Sequence, residues 1–136
     1  MKVITIPILS DNYSYLIIDK DNKSCSAVDP ASPEEIIPFL EKKKLDLKNI
    51  LNTHYHSDHT AGNLELKEKY KCKIYGPDKE KDQIPGIDIT LKENDTLKIN
   101  DYSVKIFETP GHTAGHIIYW FDKEKVVFTG DTLFVL

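Results

Sequence analysis

Arginine is missing from this 136-residue sequence, and all eighteen basic side chains are lysines. Bidentate guanidinium contacts to phosphates and base edges are therefore unavailable. A net charge of −4 supplies no basic field to steer a polyanion, so no nucleic-acid partner is expected. Long apolar runs are missing too. None approaches the roughly 18 residues that a membrane-spanning helix needs, and no membrane partner is expected. The opening Met1-Lys2-Val3-Ile4-Thr5-Ile6-Pro7 lacks the apolar core and small-residue cleavage site of a signal peptide. It alternates like a first strand, and the expected location is cytoplasmic. Cysteine is scarce: Cys25 and Cys72 stand far apart with no CxxC spacing, which favours reduced structural thiols over a redox pair or a thiolate metal site. The length allows one domain with a real core and no second one, and the chain contains no repeat, low-complexity tract or linker.

What is present reads first as a meander over Lys2–Ile8, Tyr13–Asp19 and Ser24–Val28. Turn formers separate the strands at Ser10-Asp11-Asn12 and Lys20-Asp21-Asn22. Asp29-Pro30-Ala31-Ser32 ends the third strand. Ser32, with Pro33 next and Glu35 three residues on, forms the sequence pattern of a capping box. The helix that follows has an apolar set of Ile36, Ile37, Phe39 and Leu40, and Pro38 should kink or shorten it. A short strand over Lys48–Asn52 and a helix over Thr60–Lys71, with Leu64 and Leu66 apolar, come next. Further strands are expected at Lys73–Tyr75, Ile87–Leu91, Thr96–Ile99, Tyr102–Glu108, His116–Phe121 and Lys125–Thr129. Strand-rich halves with intermittent helices predict sheets with helices packed outside.

The chemistry gathers at three places. Thr53-His54-Tyr55-His56-Ser57-Asp58-His59 puts three of the five histidines within six residues, with a carboxylate among them. Alternate residues of an extended chain point the same way, so His54 and His56 can meet one ion. Asp58 and His59 follow where the loop bends into a helix and can face a second ion beside the first. Ser57 reads as a spacer. Imidazole and carboxylate suit zinc, iron or manganese. The second place is Thr109-Pro110-Gly111-His112-Thr113-Ala114-Gly115-His116, where a Pro-Gly turn presents His112 at a strand end. His112 would complete a three-histidine site with one position left open, as a catalytic metal requires. His116, four residues on, reads as a packed histidine or a partner behind a ligand. The third is Phe128-Thr129-Gly130-Asp131-Thr132, which places Asp131 at another strand terminus.

These three segments resemble, in order, three metal-binding motifs of the metallo-β-lactamase superfamily. Within it, Pro7-Ile8-Leu9-Ser10-Asp11-Asn12-Tyr13-Ser14-Tyr15-Leu16, Ala27-Val28-Asp29-Pro30 and Gly130-Asp131-Thr132-Leu133-Phe134 are similar to the glyoxalase II family. The resemblance runs over essentially the whole chain. It implies an α+β fold, the αββα sandwich of the superfamily, with residues 1–136 as the N-terminal portion of the catalytic domain.

By the same resemblance, His54, His56 and His112 hold one metal, Asp58 and His59 the other, and Asp131 bridges the two. The implied cofactors are two divalent metal ions, zinc first, with iron or manganese as alternatives. Asp58 also orients the attacking hydroxide, which makes it the catalytic residue. The implied reaction is hydrolysis of S-(2-hydroxyacyl)glutathione, such as S-D-lactoylglutathione, to glutathione and a 2-hydroxy acid by a metal-bridging hydroxide. That reaction belongs to methylglyoxal detoxification, and the implied partner is a glutathione thioester. The family's last metal-ligating histidine lies beyond the bridging aspartate, and none follows His116 here. Two other readings stay open: a persulfide dioxygenase of the same superfamily, and a metal-binding fragment without activity of its own.

Overall fold

The computed structural model describes residues 1–8 and 12–136. Ser10 and Asp11 of the expected first turn lie outside the described residues. Strands β1 (Lys2–Ile8), β2 (Asn12–Ile18) and β3 (Ser24–Val28) form the expected meander. Then come α1 (Pro33–Lys43), β4 (Asp46–Leu51), a one-turn α2 (Ser57–Thr60) and α3 (Asn63–Tyr70). Next are β5 (Lys73–Pro77), a 3-10 helix (Asp78–Gln83), β6 (Ile89–Leu91) and β7 (Thr96–Ile99). The chain finishes with β8 (Tyr102–Glu108), β9 (Ile117–Phe121), β10 (Val126–Phe128) and β11 (Leu133–Val135).

Two sheets result. The first runs β1-β2-β3-β4-β5-β6, antiparallel at its start and parallel from β3 onward; the second runs β11-β10-β9-β8-β7 and is antiparallel throughout. Strands β2 and β3 in the first sheet are buried on both faces, so they lose the polar alternation of a half-exposed sheet. Strand β2 shows the division. Leu16 and Ile18 join Ile36, Leu40, Leu47, Leu66 and Ile74 beneath the helices, while Tyr15 and Ile17 join Ile106, Tyr119, Phe121 and Phe128 between the sheets. These are the α, β and β layers of the expected sandwich. The outward face of β8 and β9 carries half-buried Phe107, Ile118 and Trp120, with no helix over it among the described residues.

Three local expectations are corrected. Ser32 is the N-cap of α1, but its side chain makes no cap hydrogen bond, so the capping-box pattern marks the boundary without the bond. Pro38 does not shorten α1, which continues five residues past it to Lys43. Burying Ile36 and Leu40 completely, worth about 1.5–3 kcal/mol each, offsets the missing N–H. The single helix expected over Thr60–Lys71 is two helices. Gly62 leaves the helical ladder to donate its N–H to Pro30 O at 2.9 Å. A Cβ on Gly62 would stand 2.5 Å from that oxygen, so only glycine permits the approach. Strand β11 was not expected; it continues directly from the Asp131 segment.

Candidate metal centre

All three chemistry-bearing segments end at one edge of the sandwich. The first leaves β4, and two bonds across the sheets hold it there: Ile117 N donates to Thr53 O at 2.9 Å, and Tyr119 Oη donates to Asn52 O at 2.6 Å. The second leaves β8 and returns as β9, with Thr109 N donating to His116 O at 2.8 Å. The third is a turn closed by Thr129 N and Thr129 Oγ1, which both donate to Thr132 O. Gly130 sits in that turn at φ +102°, and a Cβ there would lie 2.9 Å from His116 Nε2 and 3.1 Å from Thr53 Oγ1. The turn thus rests on the other two segments, and glycine alone lets it rest so close.

One nitrogen from each of His54, His56 and His112 falls within 4.8 Å of the others. His56 Nδ1 and His112 Nε2 approach to 3.2 Å. His54 is fully buried; its Nδ1 meets Thr53 Oγ1 at 2.8 Å, and its Nε2 has no hydrogen-bond partner. A buried, unpartnered imidazole nitrogen is costly. Here it faces two further imidazoles, which is the donor set of a three-histidine metal site with an open position. The residues fit a bound metal. Burial pushes His54 down to about 4, and the neighbouring His59, His116 and His56 act the same way against the opposing charge of Asp29. Its nitrogen therefore stays free of a proton across the neutral range.

A second set lies alongside. His59 is buried, and its ring centre is 4.3 Å from that of His54. Its Nε2 stands 3.2 Å from Asp131 Oδ1 and 3.9 Å from Asp58 Oδ2. Asn12 Nδ2 donates to Asp58 Oδ2 at 2.7 Å and fixes that carboxylate. Burial opposes ionisation of Asp58, but the Asn12 bond and His59 leave it below the ordinary carboxylate range. For His59, burial disfavours the cation, while the hydrogen bond and charge of Asp29, with Asp58 and Asp131, raise it above the usual value. Thus Asp58 and Asp131 both flank His59 Nε2, and Asp131, at the rim, also shares a cavity of about 310 Å³ with His112, His116 and Thr109. A second cavity, about 380 Å³ and lined by Tyr13, Tyr15 and Thr132, meets Asp131 from its other side. A larger cavity, about 550 Å³ between Lys2, Ile4, Phe39 and Lys43, is lined by no histidine or carboxylate.

Sequence reasoning missed Asp29. It is 1% exposed, has φ +49°, and lies within ligand distance of His54 and His59. Its oxygens are already engaged: Oδ1 accepts from Thr53 N at 2.9 Å, and Oδ2 accepts from Thr53 Oγ1 at 2.7 Å and lies 3.1 Å from His59 Nδ1. That arrangement makes it the carboxylate behind His59, turning the other ring nitrogen toward Asp58 and Asp131. The available signal was positional, an aspartate at the end of an apolar strand, as at Asp131. His116 joins neither set. It stacks on His54 at 4.9 Å, and its Nδ1 meets Thr109 Oγ1 at 3.1 Å.

Residues 9–136 match the family described as the metallo-beta-lactamase superfamily. The chain is 48% identical to a hydroxyacylglutathione hydrolase of Pelagibacter ubique, over all of this chain and 57% of that protein. It is 39% identical to a hydroxyacylglutathione hydrolase of Methylococcus capsulatus, over all of this chain and 53% of that one. The chain therefore spans about half the length of the curated relatives it matches. The crystal structure of BLEG-1, a B3 metallo-beta-lactamase, superposes with a TM-score of 0.88 at 26% identity, covering 98% of this chain and 73% of that one. Among the described residues, no helix is long and apolar enough to cross a membrane.

Proposed function

This chain belongs to the metallo-beta-lactamase superfamily, and from that premise we propose that it supplies the metal centre of a thioesterase acting on S-(2-hydroxyacyl)glutathione, of which S-D-lactoylglutathione is the expected case. The observation that carries the reading is the pairing of the two donor sets, three imidazoles beside Asp58, His59 and Asp131, in a chain whose curated relatives bear the name hydroxyacylglutathione hydrolase. His54, His56 and His112 would hold one divalent ion, Asp58 and His59 a second, and Asp131 would serve both. Zinc is the first choice for such donors, and iron and manganese suit them too. Bound metals would supply Lewis acidity, lowering the pKa of water toward neutrality and neutralising charge on a carbonyl oxygen.

The chain's own residues do the rest. Asp58, held by Asn12 and kept ionised, accepts a hydrogen bond from the attacking water and orients it. Asp29 fixes the tautomer and angle of His59. The two cavities on either side of Asp131 leave room for the acyl group and the thiol portion of a substrate. The leaving thiolate is stable near neutral pH, so the reaction needs no strong general acid. Loss of thioester absorbance with S-D-lactoylglutathione, measured on a metal-loaded protein extended to the length of the curated relatives, is the test. A folded, metal-loaded protein with no turnover, or one that instead consumes oxygen with glutathione persulfide, would overturn the assignment.

A further inference from the structure

Glu80 is a buried carboxylate, 4% exposed, with no role in either donor set. It sits at a kink in the 3-10 helix, where φ −120° and ψ 15° interrupt the helical run. The two carboxylate oxygens turn in opposite directions. Oε1 accepts from Tyr55 N at 3.0 Å, and Oε2 accepts from Gly115 N at 2.7 Å. Tyr55 lies between His54 and His56, while Gly115 lies in the loop that begins with His112 and ends with His116. Among the described residues, Glu80 is the one side chain that receives backbone donors from both loops. A Cβ on Gly115 would stand 2.7 Å from Glu80 Cγ and 2.8 Å from Lys79 Cβ. The approach is thus as close as a glycine allows.

We infer that Glu80 is a positioning residue, which sets the spacing between the His54/His56 loop and the His112 loop and so tunes the three-histidine site. The inference rests on the metal-centre reading proposed above. A metal site tolerates ligand displacements of only about 0.5 Å before affinity suffers, and these three imidazoles come from two loops that share no strand. The cross-sheet bond from Ile117 N to Thr53 O fixes the roots of the loops; Glu80 fixes them next to the ligands. Its two bonds, at 3.0 and 2.7 Å, engage both carboxylate oxygens and so hold both loops to one side chain. The flanking Lys79, exposed and paired with Glu108 at 3.1 Å, only anchors the same segment to the surface.

Glu80→Gln is the informative variant. A glutamine offers one acceptor oxygen and one NH₂ donor, so one of the two backbone N–H groups must face a donor whichever way the amide turns. Gly115→Ala pushes the same contact apart while keeping the carboxylate. With Co²⁺ alone as the probe, both variants should bind about 10–100-fold more weakly than the parent, the range for losing a partner behind a ligand. The visible cobalt band should shift, with thermal midpoints within a few degrees of the parent, and Lys79→Ala should match the parent in both readouts. Parent-like Co²⁺ affinity and an unshifted band in both variants would overturn the inference, as would weakening that only tracks a lowered midpoint. If the parent itself takes up no Co²⁺, the metal-centre reading fails first and this inference falls with it.

Discussion

The two halves of the centre are built in opposite ways. In the nitrogen half, His54 is fully buried, and the loops carrying His54, His56 and His112 are fastened through backbone groups. In the oxygen-rich half only His59 is buried; the side chains of Asp58 and Asp131 are 50% and 62% exposed. His54, buried without a proton, has nowhere to turn, and half-buried His56 and exposed His112 are steadied through their loops, whereas the exposed carboxylates can swing and rehydrate. The first half is therefore a fixed socket and the second an adjustable rim. That division suits the proposed hydrolysis, with room for water and substrate in the cavities beside Asp131.

Removing the socket's deepest ligand should break the comparison most severely. His54→Ala takes away the unpartnered Nε2 and leaves a cavity beside His59. We expect loss of tight metal binding and a fall in thioester turnover of about 100-fold or more, at or beyond the cost of losing a partner behind a ligand. Elemental analysis after gel filtration, with turnover measured on the same fraction, checks both. Retention of two ions by the variant would show that the socket is not where the first ion sits.

Asp131→Ala should come next, because that residue lies 3.2 Å from His59 and shares a cavity with His112. It should lose more activity than His116→Ala, whose ring packs on His54 and bonds to Thr109. Equal losses of metal and turnover in the two variants would make His116 a ligand. A smaller and more selective effect is expected from Asp29→Asn. The amide places a donor against Thr53 N or His59 Nδ1, so metal titration should show the rim weakened by about 10-fold or more and the socket less affected. Weakening of both halves alike would mean that Asp29 serves the whole edge and not His59 in particular.

Much of this was legible in the sequence, and the gaps have physical causes. H-x-H-x-D-H between a strand and a helix is a local pattern, and the strands that carry His112 and Asp131 are apolar runs closed by glycine turns. Those signals survive folding unchanged. Asp29 was readable only as a strand end, since its partners Thr53 and His59 lie 24 and 30 residues away. Glu80 sits between Lys79 and Lys81 and looks like part of a solvated face; burial came from the 3-10 kink, which no periodicity announces. The break at Gly62 depends on Pro30 O, a contact from a distant loop. What was missed is tertiary backbone chemistry. What was read is local.

The smallest expected effect concerns protons, and it separates His54 from His59. Burial lowers His54 to about 4, whereas burial of His59 is outweighed by Asp29, Asp58 and Asp131, which raise it above its ordinary 6.5. The unfolded chain binds a proton at position 54 near 6.5 and the folded chain only near 4. Between those values the unfolded state holds more protons, so stability from this group is present above 6.5 and drains away as pH falls toward 4. His59 works with the opposite sign. Its contribution is fully present below 6.5 and disappears as pH rises through its higher folded value. The metal-free protein should therefore lose thermal stability on acidification from pH 6.5 to 4, and His54→Gln should flatten that slope. A mutant slope equal to the parent's would show that His54 is not the buried neutral imidazole of the socket. Imidazole resonances followed by NMR give a second check: His59 should protonate before His54 as pH falls, and the reverse order would remove the contrast between socket and rim.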